Sequence, residues 1–135
     1  MATVAFLLVY HMSGHVPVVD AFFDRFVVSN EFLSALYDRL RNVYSDKLSD
    51  NDIRVVILCK AYARNYELKE IIDEILFTNG YDNARQFIDY LRRFASEKRG
   101  ILRERDYSDI VDAIRYLEDT YKIVLECEEN PEKCM

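Results

Sequence analysis

A chain of 135 residues has the size of one domain, and half of its residues are hydrophobic, which is enough for a proper core. Its formal net charge of −6 argues against a nucleic-acid binder that relies on phosphate contacts. No apolar run approaches the ~20 residues that a membrane span needs, so we expect no transmembrane anchor. Because glycine (3) and proline (2) are scarce and apolar residues recur at spacings of three and four, the sequence predicts an all-α protein.

Seven helices in one compact bundle are predicted from the apolar pattern, taken in chain order. Pro17 suits the first turn of the second helix, and Ser29 or Asn30 is placed to cap the third. The acidic segment SDND after Leu48 is interpreted as helix caps, because it lacks the glycine and the closing glutamate of a calcium loop. The chain is thus predicted to form a helical domain at 1–125 and a flexible polar tail at 126–135. The seven helices are expected near residues 2–12, 17–27, 30–44, 53–61, 68–79, 83–97 and 107–125.

Nothing in the sequence indicates catalysis or a cofactor. His11 and His15 have a helical metal-binding spacing, but a glycine falls between them and no third ligand is apparent. Cys59, Cys127 and Cys134 are an odd number without metal spacing, which favours a reduced, intracellular chain. Cys59 lies in an apolar helical run and is expected as a free core residue, whereas Cys134 in the polar tail is expected either as a free exposed thiol or as a crosslink between two chains on oxidation. Phosphate-binding glycine loops and nucleophile motifs are also missing. We therefore expect a binding protein rather than an enzyme.

Two charged features stand out along the later helices. The segment RRFASEKRGILRER (92–105) is locally basic but contains Glu97 and Glu104, which is typical of a solvated helix face and loop. Earlier in the chain, Gly80 is expected to end a helix in a left-handed conformation, and Asp82 to cap the next one. Arg85 then falls in the first helical turn, where the helix dipole disfavours a cation by about 0.3–1 kcal/mol. Either a carboxylate compensates this charge or the side chain bends into solvent.

This turn resembles the first homology motif of the Bcl-2 family of apoptosis regulators, Leu-Phe-x-x-Gly-x-Asn-Trp-Gly-Arg, in the pattern Leu76-Phe77-x-x-Gly80-x-Asp82-x-Ala84-Arg85. The helices on either side, and residues 110–125, are similar to that family's fold, in which amphipathic helices surround a central helical hairpin. Asn83 stands in place of the motif's tryptophan, and neither the second homology motif nor a membrane tail is recognisable. These departures are typical of short, tailless, virus-encoded members.

The resemblance implies an inhibitor of mitochondrial apoptosis in the cytoplasm of a host cell, with peripheral association at mitochondria as a further expectation. Such proteins hold the BH-3 helix of a pro-apoptotic relative in an apolar groove, which a second copy of the chain can also cover. Arg85 would meet an aspartate of that helix. The remaining expected contacts, each of which can equally be ordinary core, are Gly80, Asp82, Ala84, Ile72, Leu76 and Ile88, with Leu36, Leu40, Tyr44, Ile53 and Ile57 on an opposite wall inferred from periodicity alone.

Two other functions are compatible with the residues. Residues 32–59 resemble a death-effector domain, which implies a small helical adaptor of the death-fold type that associates through charged surfaces. Sensitivity of partner binding to salt would favour this adaptor. A structural helical protein of a virion would instead bind no BH-3 peptides and would form large assemblies.

Overall fold

The computed structural model describes residues 16–134, and over this range the chain is helical and contains no strand. The all-α prediction is confirmed for these residues. Six α-helices follow one another at the places predicted for the second to the seventh helix, whereas the helix predicted at 2–12, with His11 and His15, lies outside the described residues. The helices are α1 (Pro17–Phe22), α2 (Glu31–Tyr44), α3 (Asp50–Arg64), α4 (Tyr66–Thr78), α5 (Tyr81–Lys98) and α6 (Glu104–Glu129).

The chain divides into two compact units, and the boundary between Leu58 and Cys59 falls inside α3. In the first unit, Pro17 opens α1, which continues into a π-helical segment, Phe23–Val27. The Asn30 side chain caps α2 by accepting a hydrogen bond of 3.0 Å from the backbone amide three residues later. The Ser49 hydroxyl and the Asp52 carboxylate each accept a bond from the other's backbone amide, at 3.1 and 3.2 Å, before α3. These two caps were predicted from the sequence and are confirmed.

The second unit contains the antiparallel pair α5 and α6, joined by residues 99–103. Arg92 Nη2 on α5 lies 3.0 Å from Glu118 Oε1 on α6. The Glu128 carboxylate near the end of α6, followed by burial, raises the pKa of Tyr81 at the start of α5. The apolar faces of this unit are buried at Ile72, Leu76, Ala84, Phe87, Ile88, Leu91, Phe94, Ala95, Ile110, Ala113 and Leu117.

The polar C-terminal segment differs from its prediction as a flexible tail. Helix α6 runs to Glu129, four residues past its expected end, and a 3-10 turn follows at Pro131–Cys134. Cys127 and Cys134 form a disulfide across this turn, with their Cα atoms 5.7 Å apart. Cys59 is free and buried, as predicted, and burial followed by the charge of Asp109 raises the pKa of its thiol.

Candidate interaction site

In the turn that carries the Bcl-2-like motif, the glycine has a backbone conformation that other residues rarely adopt. Gly80 has a φ of 101° and a ψ of 160°, an extended region of positive φ that is essentially restricted to glycine. The positive φ was predicted, but the left-handed helical conformation was not found. Gly80 also takes the N-cap position of α5, so the prediction of Asp82 as the cap is wrong: Asp82 is the second residue of the helix.

Asp82 instead supplies the anion that Arg85 needs. Its Oδ1 lies 3.6 Å from Arg85 Nη2, and both side chains are largely exposed. An exposed pair at this spacing stabilises a helix by only a few tenths of a kcal/mol. The position of Arg85 near the start of α5 is therefore explained within the chain, and the pair leaves the guanidinium accessible to solvent.

The apolar residues expected beside Arg85 belong to the core of the second unit. Ile72, Leu76 and Ala84 are fully buried, and Ile88 is 3% exposed. Gly80 is exposed, and a methyl group added there would meet nothing within 4 Å. Ile72, Leu76 and Ala84 are therefore core residues, and Ile88 is almost completely buried as well.

The residues expected on an opposite wall all lie in the first unit. Leu40, Tyr44, Ile53 and Ile57 are buried, and Leu36 is partly exposed. Ile53 borders a hollow of about 570 Å³ whose other walls are mostly polar, including Asp38, Arg41, Asn42 and Asp50. Leu40, Tyr44 and Ile57 are therefore core residues, whereas Ile53 also borders this hollow.

A smaller hollow of about 190 Å³ lies beside Arg85 in the second unit. Ile88 and Tyr121 contribute its apolar part. Charged side chains of both signs surround it, namely Arg85, Asp89, Arg92 and Glu118. This volume holds one or two side chains of a ligand and is below the range typical of drug-sized pockets.

The α5–α6 pair carries opposite charges at its two ends. We call residues 98–105 the basic loop, because it has four basic side chains and one acidic side chain. Arg103 contacts the buried Asp106, but Arg99 and Arg105 are exposed, with Arg99 over the ring of Tyr107. We call residues 126–133 the acidic tip, because four exposed glutamates outnumber one lysine there.

A buried ionic network was not foreseen from the sequence. Lys60 Nζ lies 2.6 Å from Asp106 Oδ1 and 2.7 Å from Asp109 Oδ2, and both aspartates are almost fully buried. Arg64 and Arg103 contact the same two carboxylates from the exposed side. The signals in the sequence were a lysine within an apolar run, VVILCKAYA, and two aspartates on the inner face of α6. Both aspartates are paired with basic side chains, so the network has a structural role.

A second polar cluster connects α3, α4 and α6. The Tyr62 hydroxyl donates to Asp73, and Lys69 Nζ lies 3.1 Å from the other oxygen of that carboxylate. Thr120 lies 3.4 Å from Lys69 Nζ. Burial, followed by the bond to Asp73, raises the pKa of Tyr62. The phenol therefore stays neutral and acts as a hydrogen-bond donor within the core.

Comparisons with known protein families, curated proteins and solved structures find no match to this chain. Among residues 16–134, no group of three or more His, Cys, Asp or Glu side chains is arranged to hold a metal ion. Over the same range, every helix is too short or too polar to cross a membrane. The charged ends of α5–α6 and the hollow beside Arg85 are surface features of the second unit that a partner could contact.

Proposed function

We propose that this chain is a protein-interaction module of the death-fold adaptor kind, which binds a partner protein through the charged ends of the α5–α6 pair. The observation that carries the proposal is the opposite charge of the basic loop and the acidic tip, both formed mainly by exposed side chains. The likeness of residues 32–59 to a death-effector domain supports the same class, since such domains associate through charged surfaces.

The burial of the expected groove residues supports this choice over a groove for a BH-3 helix. Ile72, Leu76 and Ile88 are almost completely removed from solvent in the chain itself. Helix-in-groove binding gains free energy by burying apolar area that is exposed in the free protein. Side chains that are already packed in a core contribute little of that gain.

Charged surfaces predict a distinctive dependence on salt. Exposed ion pairs are screened when the Debye length falls, from about 14 Å at 0.05 M to about 4 Å at 0.5 M ionic strength. Charge complementarity also acts mainly on the rate of association and on the choice of partner. A partner held by the basic loop should therefore dissociate as salt rises.

The test is capture of cellular proteins on the immobilised chain at low salt, followed by elution with increasing sodium chloride. A partner of the basic loop is expected to be lost with Arg99→Glu/Arg105→Glu. The control, Arg25→Glu/Arg39→Glu, makes the same change of charge at two exposed arginines of the first unit and should retain that partner. A partner that withstands about 0.5 M salt and both double substitutions would exclude the charged ends as its binding surface.

Sequestration of a BH-3 helix is a second candidate function, and the exposed Arg85 beside the hollow of Ile88 and Tyr121 favours it. An aspartate of the ligand helix would replace Asp82 as the partner of this guanidinium. Titration with BH-3 peptides tests it: Arg85→Glu should weaken binding by about 2–5 kcal/mol if the ligand buries the pair. Arg39→Glu serves as the control, and no binding at about 10–100 µM protein removes this candidate.

A further inference from the structure

We infer that the protein partner of the basic loop is the acidic tip of a second copy of this chain, so that copies associate head to tail. The inference rests on the proposed function, because it needs the charged ends to be binding surfaces. It adds the identity of the partner and the direction of assembly. Both ends lie in the second unit, with the basic loop between α5 and α6 and the acidic tip at the end of α6.

The length of α6 prevents the two ends from neutralising each other within one copy. The helix has 26 residues, and at a rise of about 1.5 Å per residue its ends are about 39 Å apart. Charges interact only weakly beyond the Debye length, about 8 Å at physiological ionic strength. Each end therefore presents its charge to other molecules, and a second copy offers the complementary sign.

One exposed aliphatic side chain lies in the basic loop, and another lies in α6 just before the acidic tip. Ile101 in the basic loop is 37% exposed, and Ile123, one helical turn before Cys127, is 59% exposed. Protein interfaces commonly place apolar contacts at the centre and polar groups at the rim. Contact between Ile101 of one copy and Ile123 of the next would place the basic and acidic side chains around an apolar centre.

The acidic tip is held in place before any partner binds. The disulfide between Cys127 and Cys134 closes the 3-10 turn. The tip therefore has less conformational freedom to lose on binding than a free tail would have. The basic loop and the acidic tip are different surfaces. Each contact therefore uses the loop of one copy and the tip of the other, and both copies keep one unoccupied end. Such a heterologous contact continues into an open chain of copies unless the rotation closes a ring.

The test uses sedimentation velocity with two charge-reversal variants, both at exposed positions. The basic-loop variant is Arg99→Glu/Arg105→Glu, and the acidic-tip variant is Glu129→Lys/Glu132→Lys. At about 0.05 M salt the wild type should at least double its mean mass between dilute and concentrated solution, and raising the salt to about 0.5 M should reverse this. Each variant alone should stay monomeric.

One mixture and one combined variant test the head-to-tail contact further. An equimolar mixture of the two variants should associate although neither variant does so alone, because the ends of one variant are opposite in charge to the ends of the other. The combined variant with all four substitutions should regain self-association, because its ends again have opposite signs. This recovery also excludes misfolding as the reason for the monomeric state of the single variants.

A wild type that stays monomeric at every concentration and salt would overturn the inference, as would a basic-loop variant that associates like the wild type. If capture of another cellular protein still depends on Arg99 and Arg105 in that case, the proposed function stands and only the identity of the partner is wrong. If the wild type associates and either variant alone also associates, the contact does not need one basic and one acidic end, and the head-to-tail arrangement is excluded.

Discussion

Replacing Lys60 by methionine is expected to lower the free energy of unfolding by about 3 kcal/mol, at the lower end of the range for breaking a buried ion pair. The ammonium group lies between two carboxylates that are almost completely buried. Without it, Asp106 keeps Arg103 and Asp109 keeps Arg64, but these guanidinium groups are 43% and 66% exposed in their side chains and compensate only in part. Urea denaturation followed by circular dichroism measures the difference.

Lys122→Met is the matched control for this experiment. Lys122 is an exposed lysine of α6, and its replacement should change the unfolding free energy by less than about 0.5 kcal/mol. Equal stabilities of the two variants would mean that the buried carboxylates do not depend on Lys60.

Leu76→Ala should destabilise the fold by about 2–5 kcal/mol, because the side chain is fully buried and its removal leaves a cavity. This prediction separates core from groove, since a residue that lines an open groove loses binding on truncation but little stability. Ile123→Ala is the control at an exposed aliphatic residue and should cost less than about 0.5 kcal/mol. If the Leu76→Ala protein is as stable as this control, Leu76 lines a groove and does not belong to the core.

The helical elements could be predicted because their signals are local. Asn30 and the SDND segment are capping residues whose hydrogen bonds reach only three residues along the chain. The apolar stripes of α5 and α6 mark the buried face of each helix by their spacing alone. The scarcity of glycine and proline and the apolar spacing of three and four are also local signals. Together they predicted the all-α chain found for residues 16–134.

The site could not be predicted to the same extent, because it depends on contacts between distant residues. Ile72 and Ile88 have the same spacing whether they line a groove or fill a core, and only packing decides between the two. Lys60 finds its carboxylates on a helix more than forty residues later. The pairing of Cys127 with Cys134 requires the chain to reverse after α6, which an odd count of cysteines does not reveal.

The most direct measurement is amide chemical-shift mapping on the isotopically labelled chain as a captured protein partner is added. We expect the changes to centre on residues 98–105 or 126–133 and to disappear at high salt. Changes centred instead on residues 72–88 around Arg85, and persisting at high salt, would contradict binding through the charged ends and favour the hollow beside α5.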